Sequence, residues 1–106
     1  MPKYIVIGSY NQAGVRGLLK DGGTGRRTAV TKMIDGLGGT LEAMYYAFGD
    51  DDVYAIVDAP DNVTVAAVSL AVGAAGAVDI RTVALLTAEE MDEAANKTVD
   101  YRPPGA

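Results

Sequence analysis

Neither cysteine nor histidine occurs anywhere in the 106 residues. Without cysteine there is no disulfide framework, no thiolate nucleophile and no cysteine-ligated metal. Without histidine the chain lacks the commonest general base, the commonest metal ligand and the usual haem ligand. Chemistry here falls to Asp, Glu, Tyr, Lys or Arg, and the residues call for no cofactor and no metal. Basic charge is scarce too: nine Lys and Arg stand against fourteen Asp and Glu, a net charge of −5. Nucleic acid and acidic membrane surfaces are poor partners for such a balance, because phosphate neutralisation needs a basic face. No apolar run approaches the ~20 residues that span a bilayer. The opening Met1-Pro2-Lys3-Tyr4 lacks the pattern of a signal peptide. A soluble cytoplasmic protein is the expectation.

What is present describes an ordinary globular chain. Hydrophobic residues make up 49% and charged residues 22%, which argues against disorder. One domain is expected over residues 1–96, followed by an extended tail over 97–106 with Pro103-Pro104.

Residues 3–10, KYIVIGSY, are β-branched and aromatic and read as the first strand. Residues 11–20 form a short helical segment, and Asp21-Gly22-Gly23-Thr24-Gly25 interrupts it. A second helix over 26–37 carries Val30, Met33, Ile34 and Leu37 at i, i+3, i+4 and i+7, with Gly38-Gly39 as its stop. Strands follow over 40–48 and 53–59; the short Gly49–Asp52 link makes them an antiparallel hairpin. Asp61 is placed to cap the next helix. Residues 63–75 are apolar almost all round, which predicts a helix buried on more than one side. The fourth strand covers 78–86. Thr87 and Glu90 then have the spacing of a capping box for a short acidic helix over 88–95.

The order βαββαβ, with right-handed crossovers, predicts an α+β ferredoxin-like fold: a four-stranded antiparallel sheet with helices on one face. An antiparallel sheet with one wet face alternates apolar and polar residues. Ile5-Val6-Ile7, Tyr54-Ala55-Ile56-Val57 and Val83-Ala84-Leu85-Leu86 do not alternate. The second face is therefore expected to be covered by another copy of the chain, in a homodimer or a larger oligomer.

The hairpin and its continuation, FGDDDVYAIVDAPD, resemble the GYD-domain family, whose signature is a glycine-(x)-tyrosine-aspartate turn, an apolar strand and a proline-aspartate. The opening YIVIGSYNQAGVRGL and the Leu37-Gly38-Gly39 stop are similar to that family as well. Gly49 and Asp52 match the signature, whereas Asp51 stands where its tyrosine is expected. The resemblance implies a ferredoxin-like fold of the dimeric α/β-barrel type. It implies no particular reaction, the family being widespread in bacteria and largely uncharacterised.

Several residue groups invite a functional reading. Asp50-Asp51-Asp52 offers hard oxygen ligands for a divalent cation, yet consecutive strand residues point to opposite faces and the spacing of a calcium loop is absent; a solvated turn is the simpler reading. Gly22-Gly23-Thr24-Gly25-Arg26-Arg27 precedes a helix, where backbone N–H groups and two guanidiniums could hold an anion, but it fits neither nucleotide fingerprint, so it is read as a connector. Arg81, a charge inside a strand, calls for an ion-pair partner such as Asp58 or Asp79. A cleft between sheet and helices is the natural place for a small ligand, lined by Tyr10, Arg16, Tyr46, Asp52 and Tyr54. The leading expectation is a small-molecule-binding protein in an accessory or regulatory role. The alternative is a cofactor-independent oxygenase, isomerase or decarboxylase acting on a small polar-aromatic substrate through Tyr, Arg and Asp.

Overall fold

The computed structural model describes residues 1–106. It contains β1 (Lys3–Tyr10), α1 (Gln12–Gly36), β2 (Thr40–Tyr46), β3 (Val53–Asp58), α2 (Asn62–Ala75), β4 (Val78–Leu85) and α3 (Ala88–Ala95). The four strands form one antiparallel sheet in the order β2-β3-β1-β4, which is the ferredoxin-like arrangement.

Register assigns each side chain to a face, because cross-strand partners share one. Tyr4 lies between Val57 and Ala84, Val6 between Ala55 and Thr82, and Gly8 between Val53 and Ile80. This is the face beneath the helices: α1 lies over β2 and β1, and α2 over β4. Tyr4, Ile34, Val57 and Ala59 form the buried centre, with Val6, Val30, Leu41 and Val65 packed against it. The core is thin. Only eight of 106 residues are buried.

The opposite face carries Ile5, Ile7, Tyr54, Ile56, Arg81, Val83 and Leu85 by the same register. Neither α1 nor α2 covers it, and Tyr45 and Val83 are exposed there at 72% and 47%.

Local capping fixes the helix starts. The Asn11 side chain accepts from the Gly14 N–H, Asp61 accepts from Thr64, and Thr87 and Glu90 exchange both bonds of a capping box. Asn11 also joins the β1–α1 junction to the α2–β4 junction, since its backbone N–H donates to the Ala77 carbonyl at 3.1 Å and its side-chain amide to Gly76.

Three expectations need correction. The expected break between two helical segments falls within 21–25, but it is a kink at one residue and not a five-residue connector, and helical geometry resumes directly after it within α1. Gly22 alone leaves helical geometry, at φ 73° and ψ 166°, a region open essentially to glycine only. The Tyr46 hydroxyl holds the turn beyond the kink by donating to the Gly23 carbonyl at 2.9 Å. Next, β2 stops at Tyr46 instead of residue 48: the Ala47 N–H turns to the Asp52 carbonyl to close the hairpin loop, and Phe48 is left wholly exposed. Finally, α2 has no buried residue in the single chain, and Val63 and Leu70 are 78% and 75% exposed.

A register shift between Leu41 and Ala43 marks a bulge in β2. Glu42, at the bulge, pairs with Lys3, which also meets Asp58 at 3.0 Å. Beyond β4 every residue from Leu86 to Ala106 is exposed. That projecting arm accounts for a radius of gyration of 16.9 Å, against about 13 Å for a compact chain of this length. No helix is long and apolar enough to cross a membrane.

Candidate functional site: a cavity between sheet and helices

The two long helices make little direct contact with each other, so the middle of the sheet is incompletely covered. A cavity of about 260 Å³ remains. Its floor is Val6, Val53, Ala55, Val57, Val78 and Ile80 of the sheet. Its walls are Ala29, Val30, Met33 and Ile34 of α1 and Val68 and Val72 of α2. An open groove between the helices continues from it, sharing Ala29, Met33 and Val68.

Two polar groups interrupt this apolar lining: the Tyr10 phenol at the end of β1 and the Arg26 guanidinium on α1. Arg26 reaches the cavity because it lies on the stripe that continues through Val30 to Ile34 at i, i+4 and i+8. It is half-buried and has no acidic partner; the ion pairs of the chain are those of Lys3 and Arg81.

Burial pushes the Tyr10 phenol above its ordinary value of 10.0, with a further rise from the neighbouring Tyr46 phenol. The Arg26 guanidinium beside it pulls in the other direction without reversing the rise. Tyr10 is therefore a neutral proton donor at physiological pH, and Arg26 is a fixed cation.

Of the sequence-predicted site residues, Tyr10, Tyr46 and Asp52 are gathered at this end of the sheet. Asp52 accepts the Tyr10 backbone N–H at 2.8 Å, and its own N–H donates to the Gly8 carbonyl at 2.8 Å, so it pins the hairpin to β1. Tyr46 bonds to the α1 kink rather than lining the cavity. Arg16 is exposed on α1 and does not line the cavity; Arg26, one turn beyond the kink, takes the position expected of it. Tyr54 belongs to the opposite face, between its neighbours Val53 and Ala55, which line the cavity floor. The periodicity that extends the core stripe backwards from Ile34 was the signal for Arg26.

The acidic turn divides its side chains. Asp52 goes to β1, whereas Asp51 accepts from the Ser9 hydroxyl at 3.0 Å and from Arg81 at 2.8 Å. Arg81 thus has an ion-pair partner, but it is Asp51 and not Asp58 or Asp79. The Arg81 guanidinium and the Ser9 hydroxyl hold the Asp51 carboxyl below its ordinary 3.8.

A four-stranded antiparallel sheet, one covered face and a ligand-sized apolar cavity under the crossover helices define a ferredoxin-like α+β domain with a candidate binding site. The family model of the GYD domain matches residues 4–95, and the chain belongs to that family. No curated protein and no solved structure matches it.

Proposed function

We propose that this is a small homo-oligomeric protein that binds a small molecule in the cavity between sheet and helices, in an accessory or regulatory role. The observation that carries this reading is the cavity itself, apolar but for one phenol and one guanidinium. An engineered apolar cavity of about 150 Å³ is enough to hold benzene. Binding pockets are generally apolar with a few placed polar groups that fix orientation.

Acid–base catalysis finds less support. The lining offers no carboxylate. Its phenol is held in the protonated form, so it can donate a proton but is a poor base at neutral pH.

Association of copies through the open sheet face belongs to the same reading. The apolar residues Ile5, Ile56, Val83 and Leu85 form a continuous strip across three strands, of a kind that isolated soluble chains seldom leave uncovered. A two-fold pairing of sheets is the simplest cover.

Native mass spectrometry of the purified chain tests the binding reading. A retained small molecule is expected, and Ala29→Phe, which projects bulk into the cavity, should displace it. A chain that carries no adduct and takes up no small apolar probe would refute the proposal.

A further inference from the structure

We infer that the cavity takes a small organic monoanion with an apolar body, a carboxylic acid whose head group meets Arg26 and Tyr10 and whose hydrocarbon lies among Val6, Val53, Val68 and Val72. This rests on the binding reading above and narrows it to one class of ligand.

The argument starts from a missing partner. A guanidinium stays charged at every physiological pH. Removing it from water is costly unless an anion accepts its hydrogen bonds. Arg81 has Asp51 and Lys3 has Glu42 and Asp58, but half-buried Arg26 has no carboxylate. The acids nearest its end of the chain are otherwise placed. Asp52 is committed to the Tyr10 backbone, and Asp21 lines an adjoining cleft without pairing to Arg26.

The planar fork of arginine fits a carboxylate with two parallel bonds. The protonated Tyr10 phenol supplies one more donor beside it. One cation and one neutral donor suit a single negative charge better than a phosphate dianion, which needs more donors. The rest of the lining has nothing to offer a sugar or other polar body, whose unmet hydrogen bonds would oppose entry. Scaling from the 150 Å³ cavity that holds benzene, the space of about 260 Å³ suits about ten non-hydrogen atoms.

Calorimetric titration of the full chain at low salt with three probes of one shape tests this: 3-phenylpropanoate, 3-phenylpropan-1-ol and 3-phenylpropylamine. The acid should bind most tightly and the amine least. Arg26→Gln should weaken the acid by about tenfold or more, as loss of a charge-assisted bond requires, and the alcohol far less. Arg26→Lys should restore part of the acid's affinity. If the acid and the alcohol bind equally and Arg26→Gln does not separate them, the site is apolar only and the anion inference falls while the binding reading stands. If none of the three binds, the binding reading falls and takes the inference with it. Should Arg26→Gln fail to fold by circular dichroism, the ranking of the three probes on the unaltered chain decides.

Discussion

Asp51 and Arg81 meet at 2.8 Å on the open face of the sheet, joining the hairpin loop to the edge strand β4 across β1. The guanidinium is mostly exposed and the carboxylate mostly covered, so the pair sits at the rim of the apolar strip. Asp51 thus fastens the loop by charge.

A pH-dependent contribution to stability follows. The folded-state value of Asp51 lies below the ordinary 3.8, so folding favours its ionised form. The stabilisation is complete well above pH 3.8 and disappears as the pH falls through the depressed folded value. Asp51→Asn should therefore lower the thermal midpoint at pH 7, and the gap from the natural chain should close in acid below pH 3.8. Asp61, depressed by its bonds to Thr64, titrates in the same window, so the difference between the two chains is the quantity to follow. A gap that stays constant from pH 7 to pH 2 would show that the pair does not contribute through ionisation.

Tyr10 can be followed without a label. The chain has six tyrosines and no tryptophan, so phenolate absorbance reports tyrosine alone. Spectrophotometric titration should show one phenol ionising above the ordinary 10.0, and Tyr10→Phe should remove that late step. Because the Arg26 guanidinium works against the rise, Arg26→Gln should move the step further up. A downward movement would place the cation away from the phenol.

Local interactions were legible in the sequence, whereas their long-range partners were not. Asp61 and the Thr87–Glu90 box act within one turn of their own helices, and both caps form as their spacing dictates. The two-faced sheet was legible because strand periodicity assigns faces once the pairing order is known. Arg26 was read as the first residue of the second helix, and the cleft was given Arg16 instead, because the glycines before Arg26 read as a break at which the core stripe ends. The Tyr46 hydroxyl, 23 residues away in sequence, bonds the carbonyl of Gly23, and only Gly22 leaves helical geometry. The partner of Arg81 was missed for a related reason: the loop folds back over β1, which brings in a residue 30 positions away. The apolar circumference of α2 was legible, but the single chain buries none of its residues.

Close approach at the first turn of α1 gives a paired test of packing. A Cβ on Gly14 would collide with the Ala77 carbonyl oxygen and come within 2.8 Å of the Tyr10 ring. The Asn11 N–H holds the Ala77 carbonyl and Asp52 holds the Tyr10 backbone, so neither can withdraw cheaply. Gly14→Ala should cost about 1–3 kcal/mol, as overpacking does. One turn on, Gly17 has open space around its Cβ position, and Gly17→Ala should stabilise the chain by about 0.5–1 kcal/mol through helix propensity. Chemical denaturation of both variants checks the contrast; equal effects would mean that the βα junction is looser than drawn.

The uncovered sheet face yields the last expectation. Val83 sits beside Ile5, which has Ile56 on its other side, so a charge at Val83 enters the middle of the apolar strip. In a single chain Val83 is 47% exposed, and a glutamate there should change the stability of that chain by no more than about 0.5 kcal/mol. In a pair of facing sheets the same glutamate would be stripped of water, and Arg81, two residues along the strand on the same face, is already paired with Asp51. Val83→Glu should therefore dissociate the oligomer while leaving the circular dichroism of the chain intact. Light scattering across a dilution series reads this directly: the natural chain is expected at a multiple of the one-chain mass and the variant at the one-chain mass. A natural chain that stays folded and monomeric at high concentration would show that the strip is tolerated in water, and that the exposed surfaces of α2 and the C-terminal arm need no partner either.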